Sequence, residues 1–205
     1  FAFTAMFICG PPGWATSGDM GCVMRYNFEQ TITDIVYPFL EKTGVLWLTK
    51  NITPAQEHFI SNLIRQKIIV GIDALPLHSN SRKKALLFLP ENELHEIGLL
   101  FYHYLLRKAG YRTIYLGQAV PHSDLRQVYN VYRPEILVTS LTSAISNMPL
   151  SEYLELLAGD FPCRQILVSG MQVRHLGRER AVPRVSLFGN IAEFKDLISA
   201  ELFIV

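Results

Sequence analysis

The chain has 205 residues, 49% of them hydrophobic, which is enough to bury one sizeable core or two modest ones. Its 19 Lys and Arg residues nearly balance 18 Asp and Glu residues, and the net charge of +1 excludes a strongly basic domain that attracts nucleic acid by charge alone. Three widely spaced cysteines, Cys9, Cys22 and Cys163, favour reduced thiols over a disulfide framework or a zinc site. They predict a cytoplasmic protein.

The opening residues contain an apolar run, Phe1 to Cys9, that is too short to span a bilayer and lacks the basic flank of a signal peptide. We therefore expect no membrane association. The chain begins with Phe, and Gly10-Pro11-Pro12-Gly13 interrupts any regular element there. These features predict a fragment of a longer protein, and residues 1–18 match no pattern that we expect.

Two amphipathic helices are predicted in the first part of the chain. Apolar residues recur at helical spacing from about Arg25 to Lys42, and Gly44 is the predicted C-cap. Thr53 is the predicted N-cap of a second helix, with Pro54 at its first position. Its apolar stripe is predicted to consist of Phe59, Ile60, Leu63, Ile64 and Ile68. Residues 1–79 are thus predicted to form a helical domain that ends in the polar, basic stretch before residue 84.

Residues 80–205 show short apolar runs that alternate with helical patterns, which predicts a parallel sheet with crossover helices. The five predicted strands are residues 85–89, 113–116, 136–139, 165–168 and 185–187. The predicted helices are residues 94–109, 123–132, 150–157 and 191–200. We therefore expect an α/β domain with a doubly wound, flavodoxin- or Rossmann-like sheet, which binds ligands beyond the carboxyl ends of its strands.

A histidine, His95, follows the first predicted strand at this edge, and Glu93 lies two residues before it. An imidazole that binds a metal commonly donates its second ring N–H to a carboxylate, which fixes the tautomer. Glu93 would do this for His95, and Gly98 would allow a close approach beneath the histidine. The alternative is an ordinary loop histidine with a satisfied hydrogen bond.

Three short motifs in this half of the chain resemble those of cobalamin-binding domains. Residues 93–98 read E-L-H-E-I-G and resemble the motif D-x-H-x-x-G, with Glu in place of Asp. Thr139-Ser140-Leu141 ends the third predicted strand and resembles the motif S-x-L. Ser169-Gly170 ends the fourth and resembles the Gly-Gly motif. The resemblance implies a Rossmann-like domain of the cobalamin-binding type.

The same resemblance implies cobalamin as the cofactor and His95 as the lower axial ligand of its cobalt. Glu93, Gly98, Leu141 and Gly170 would be cofactor-binding residues. Thr139 replaces Ser but keeps a hydroxyl for the dimethylbenzimidazole tail. Ser169 replaces the first Gly and adds a side chain where backbone would approach the nucleotide loop.

The helical part carries a second resemblance. Trp47, nine intervening residues and Glu57-His58 are similar to a pattern in MerR-family light-dependent regulators of the CarH and LitR kind. That family implies a helical cap over adenosylcobalamin, with Trp47 stacked on the adenosyl group and Glu57 and His58 lining the upper pocket. Leu48 stands where well-studied members have a His that binds cobalt after photolysis. A photoproduct with two histidine ligands is therefore not expected here unless His58 takes the place of that His. The alternative is a core Trp and two polar residues at a helix start.

The resemblance implies a sensory module of a transcriptional regulator, responsive to light or to cobalamin, that self-associates to a dimer or tetramer. DNA contact would come only from an upstream helix-turn-helix domain outside these residues. No catalytic residue is implied, so we expect a non-enzyme. The alternatives are a corrinoid carrier of a methyltransferase system and a cofactor-free oligomerisation scaffold.

Overall fold

In a computed structural model the chain divides into two compact units, Phe1–Ala74 and Leu75–Val205. The structure describes residues 27–48, 53–145, 148–174 and 182–199, without the side chains of residues 43–48 and 174. Within these ranges no helix is both long enough and apolar enough to cross a membrane. The helical pattern of the sequence falls in the first unit and the strand pattern in the second.

The first described helical run of the first unit has three consecutive parts: α1 (Phe28–Thr31), a π-helical segment (Ile32–Val36) and α2 (Tyr37–Leu48). Asn27 begins the run as an N-cap, and its capping box includes Gln30. The π segment lies just before Pro38, which has no N–H to bond the carbonyl four residues back. The prediction that the helix ends at Gly44 was wrong, because a glycine inside a helix costs only about 1 kcal/mol and the helix continues through it.

The second helix of this unit is α3 (Pro54–Asp73), and the prediction of Thr53 as its N-cap is confirmed by a capping box with Gln56. Its buried residues, Ile64, Ile68 and Ile72, recur every four positions and form one stripe. The prediction that Phe59 joins this stripe was wrong, because the side chain is 65% exposed. Phe59 precedes Ile68 by two and a half helical turns and so lies on the opposite side.

The second unit contains a five-stranded parallel sheet in the order β2-β1-β3-β4-β5, which confirms the predicted fold class. The strands are β1 (Lys84–Pro90), β2 (Arg112–Val120), β3 (Ile136–Ser140), β4 (Gln165–Ser169) and β5 (Val185–Leu187). The chain moves outward from β1 to β2 and then returns past β1 to β3. Because parallel crossovers are right-handed, this reversal places helices on both faces of the sheet.

The helices of the second unit are α4 (Glu96–Lys108), α5 (His122–Tyr132), α6 (Leu150–Asp160), α7 (Met171–Arg174) and α8 (Ile191–Ser199). The short α7 was not predicted. On one face, Leu86 and Phe88 of β1 share a buried cluster with residues of α5 and α6. A separate aromatic group, Tyr102, Phe188 and Phe194, joins α4, the segment after β5, and α8. The covering of both faces explains why β1 is an almost uninterrupted apolar run.

A half-buried histidine joins α4 to the edge strand β2. The Nε2 atom of His103 lies 2.8 Å from the hydroxyl oxygen of Thr113, and its ring stacks on Tyr115 with the centroids 5.3 Å apart. Burial lowers the pKa of His103 to about 4, and the charge of Arg107 lowers it further in the same direction. His103 is therefore neutral in the folded protein at neutral pH.

This depressed pKa makes stability depend on pH. Between the folded pKa of about 4 and the unfolded value near 6.5, the unfolded chain binds more protons, so the free energy of unfolding rises with pH. We expect His103→Gln, which is neutral throughout, to reduce the stability difference between about pH 5 and about pH 7 by about 1–2 kcal/mol. Urea denaturation of both proteins at both pH values measures this, and an identical pH dependence would contradict it.

Candidate functional site

The carboxyl ends of β1 and β3 form the topological switch point of the sheet. The chain leaves β1 toward β2 and leaves β3 toward β4, so the loops that follow these two strands diverge. Such a point opens a crevice at the sheet edge. The residues after β1 include Glu93 and His95, and those after β3 include Thr142 and Ser143.

Glu93 connects these two loops. The side chain is buried, at 3% exposure, and its Oε2 atom accepts hydrogen bonds from the backbone N–H groups of Thr142 and Ser143, both at 2.7 Å. Its Oε1 atom accepts the backbone N–H of His95 at 3.0 Å and lies 2.6 Å from the Nδ1 atom of the same residue. The Glu93 carboxylate therefore binds both His95, the predicted metal ligand, and the loop that follows β3.

These contacts determine the charge of Glu93. Burial by itself raises the pKa of Glu93, but the hydrogen bonds from the His95 ring and from the three backbone amides outweigh it and bring the pKa to about 2. The carboxylate is thus ionised at neutral pH and accepts a hydrogen bond from Nδ1–H of His95. A metal bound by this imidazole would accordingly be bound through Nε2.

The His95 side chain is 62% exposed although its carboxylate partner is buried. The flanking apolar residue Leu94 is also exposed, as is Met171 at the carboxyl end of β4. Exposed large apolar side chains at the edge of a sheet where ligands commonly bind are typical of a ligand-binding surface. Neither Leu94 nor Met171 was predicted from the sequence to lie at the site.

Two buried hydroxyl groups lie at the ends of neighbouring strands. Within the described part of the chain, neither Thr139 Oγ1 nor Ser169 Oγ has a hydrogen-bond partner. Thr139 pairs with Val168 and Ser140 pairs with Ser169, so the side chains of Thr139 and Ser169 point to opposite faces of the sheet. Ser169 therefore leaves the face of Thr139 clear. A buried hydroxyl without a partner is unfavourable, and a ligand atom at this edge would satisfy it.

The backbones after β3 and β4 pack closely together. The N–H of Leu141 donates to the carbonyl of Ser169 at 2.8 Å, and the N–H of Gln172 donates to the carbonyl of Leu141 at 3.0 Å. Gly170 has a φ of +107°, and a Cβ atom there would lie 2.3 Å from the Leu141 carbonyl oxygen. Leu141 itself is buried in the core cluster. Only glycine fits at position 170.

The remaining predicted site residues are Gly98 in α4 and three residues of the first unit, Trp47, Glu57 and His58. A Cβ atom at Gly98 would meet no described atom within 4 Å, so the protein described here makes no close approach at that position. Trp47 lies in α2, but its side chain is outside the described residues. The side chains of Glu57 and His58, in the first turn of α3, pair with each other at 2.9 Å and His58 is largely exposed.

Two groups at this site were not predicted from the sequence, the backbone amides of Thr142 and Ser143. Their only sequence signal is a pair of small polar residues that follow β3 after one intervening residue, at the switch point. In addition, the Ser143 hydroxyl lies 3.4 Å from the Nδ1 atom of His95. Among the residues that the structure describes, no three His, Cys, Asp or Glu side chains are grouped so as to hold a metal ion.

Comparison with protein families gives a match of residues 21–70 to the B12 binding domain. The chain is 33% identical over 140 residues to the HTH-type transcriptional repressor CarH of Myxococcus xanthus, covering 68% of this chain and 44% of that one. It is 31% identical over 134 residues to the HTH-type transcriptional repressor CarA of the same organism, covering 62% and 44%. The chain thus spans less than half the length of these two relatives.

Among solved structures, the monomethylamine corrinoid protein of Methanosarcina barkeri is similar to this chain with a TM-score of 0.66. The two are 17% identical, and the match covers 85% of this chain and 83% of the other. At this level of identity the likeness shows the fold, in agreement with the five-stranded parallel sheet.

The Glu93 contacts predict a large effect of a small change. Glu93→Gln keeps the size of the side chain. The amide has a single acceptor oxygen, whereas the carboxylate accepts hydrogen bonds through both Oε1 and Oε2. We expect the free energy of unfolding to fall by about 2 kcal/mol and the amides of Thr142 and Ser143 to exchange faster. Denaturation and amide hydrogen exchange measure both effects. Glu91→Gln, at an exposed residue of the same loop, is the control, and equal effects in the two variants would contradict the assignment.

Gly170→Ala is expected to destabilise the protein more than Gly110→Ala. Both glycines have positive φ, but a Cβ atom at Gly110 would meet no described atom within 4 Å, whereas one at Gly170 would overlap the backbone of Leu141. We expect a loss of about 1 kcal/mol at Gly110 from backbone strain alone and about 3 kcal/mol or more at Gly170. Parallel urea denaturation tests this, and equal losses would show that the overlap is relieved at little cost.

Proposed function

Because residues 21–70 match the B12 binding domain and the chain is a relative of the CarH and CarA repressors, we propose that it is the cobalamin-binding sensory and oligomerisation module of a transcriptional regulator. Adenosylcobalamin is the proposed form of the cofactor, and light or cobalamin supply is the proposed signal. In this proposal the module acts in the cytoplasm without catalysing a reaction, and a helix-turn-helix segment outside these residues contacts DNA.

The observation that carries the proposal is the exposed imidazole of His95, held through Nδ1 by the buried carboxylate of Glu93 at the switch point. An orientation fixed by a carboxylate is typical of a histidine that binds a metal. A single imidazole suits a metal that arrives with its other ligands in a macrocycle, as the cobalt of cobalamin does. His95 is accordingly the proposed lower axial ligand.

The buried hydroxyl groups and the apolar edge fit such a cofactor. Thr139 carries a donor and acceptor with no partner in the described chain, as expected of a group that binds the nucleotide tail of cobalamin. The register directs the Ser169 side chain to the opposite face, which supports binding in spite of the additional hydroxymethyl group. Leu94 and Met171 offer exposed apolar contacts at the same edge.

The first unit would sense the adenosyl group, with Trp47, Glu57 and His58 beside it. Adenosylcobalamin supplies a cobalt–carbon bond that light can break. The protein's part is to distinguish the cofactor with its adenosyl group from the cofactor without it, because only a difference in affinity shifts the equilibrium between two conformations. A change in self-association, between monomer and dimer or tetramer, is the proposed output. Since Leu48 cannot bind cobalt, His58 is the candidate upper ligand after photolysis.

The test begins with incubation of the protein and adenosylcobalamin in the dark, followed by gel filtration and a visible absorption spectrum. We expect a retained corrinoid spectrum that changes under green light together with a change in the measured oligomer mass. His95→Ala is expected to weaken retention about tenfold or more. His78→Ala, at a histidine before β1, is the matched control and should behave like the wild type.

The other outcomes distinguish the alternative functions. A colourless protein would reject cobalamin binding and leave an oligomerisation scaffold. A retained spectrum with no change of oligomer in light, combined with methylation of the bound corrinoid by a methyl donor and its enzyme, would favour a corrinoid carrier. Equal loss of colour in His78→Ala and His95→Ala would reject His95 as the ligand.

A further inference from the structure

The carboxyl end of β2 departs from regular strand geometry. Its register with β1 shifts twice, so that Leu87 pairs with Tyr115, Phe88 with Gly117, and Pro90 with Val120. Each shift inserts one extra residue into β2, and within the second insertion Ala119 has a φ of +51°, which is uncommon for a residue other than glycine. Bulges of this kind redirect side chains and are frequent next to functional sites.

The bulged segment binds the loop that carries His95. The N–H of Ala119 donates to the carbonyl of Glu93 at 3.3 Å, and the side-chain amide of Gln118 donates to the carbonyl of Leu94 at 2.5 Å. The two carbonyls that precede His95 are therefore both held by the edge strand. Without the bulge, the alternation of side chains along β2 would change the direction of Gln118.

The carbonyl that Gln118 binds closes a tight turn around His95. The N–H of Glu96 donates to this Leu94 carbonyl at 2.9 Å, and His95 between them has a φ of −79° and a ψ of 72°. These values and the bond between residues two apart define an inverse γ-turn. The turn sets the direction in which the His95 side chain leaves the backbone, and no side-chain cap holds it at the start of α4.

We propose that Gln118 is a positioning residue for His95, which holds this turn in the orientation in which the imidazole binds the cobalt of cobalamin. The proposal rests on the proposed function for the identity of the metal. Glu93 fixes the ring from one side through Nδ1, and Gln118 fixes the backbone from which the ring projects. By this proposal the edge strand acts on His95 through the backbone of the loop that carries it.

The role depends on the amide as a donor, which allows selective variants. Gln118→Glu keeps the shape but places an acceptor against the Leu94 carbonyl, and Gln118→Met keeps the length without a donor. Gln127→Glu, at an exposed residue of α5, is the matched control for the added charge. We expect all three variants to unfold at nearly the wild-type temperature, because the Gln118 side chain is partly in solvent.

Two readouts test the proposal. In the cofactor-free protein, hydrogen exchange at the Glu96 amide is expected to be about tenfold faster in both Gln118 variants, because the carbonyl that the amide binds is released. In the protein loaded with cob(II)alamin, the hyperfine splitting from the His95 nitrogen is expected in a smaller fraction of molecules, with cobalamin affinity about tenfold weaker. Gln127→Glu should match the wild type in both.

Unchanged Glu96 exchange or an unchanged histidine-bound fraction in the Gln118 variants would overturn the proposal. A purely structural role would move the unfolding temperature without altering the nitrogen splitting, and this result would also overturn it. If the wild type retains no cobalamin, the proposed function fails, and Glu96 exchange in the cofactor-free variants then decides by itself whether Gln118 holds the turn.

Discussion

The site depends on one buried charge, the carboxylate of Glu93. Removing an ion from water is costly by several kcal/mol unless its oxygens are fully bonded, and here the backbone amides of Thr142, Ser143 and His95 and the imidazole of His95 all contribute. The length of a glutamate side chain lets one residue reach its own loop and the loop after β3. The orientation of His95 is consequently coupled to the position of the second loop.

The hydroxyl groups at the same edge show where the fold leaves polar groups unsatisfied. Thr139 and Ser169 lie at the carboxyl ends of two neighbouring, mainly apolar and buried strands, and within the described chain their oxygens have no partner. Valine would fit such strand positions as well as threonine and would avoid a buried unpaired hydroxyl. Departures from good packing that collect around one edge are typical of a binding site.

The strands were predictable because a parallel sheet covered on both faces produces apolar runs such as residues 85–89. Helix ends were less predictable: the helix passes through Gly44, since a single glycine is a weak helix breaker compared with the rest of the segment. The pair of Glu93 and His95 was found from its spacing. The amides of Thr142 and Ser143 were not, because backbone donors carry no residue signature and are brought to Glu93 only by the strand order.

The same limitation applies to Gln118, whose amide reaches Leu94 only because β2 contains two bulges that no sequence pattern indicated. Glu93, His95, Thr139, Ser169 and Gly170 all belong to the second compact unit. In the proposed function, a ligand shifts an equilibrium only through unequal affinity for two states, so the signal requires contacts that differ with and without the adenosyl group. Glu57 and His58, which we proposed for this discrimination, lie in the first unit, where the B12 binding domain match falls.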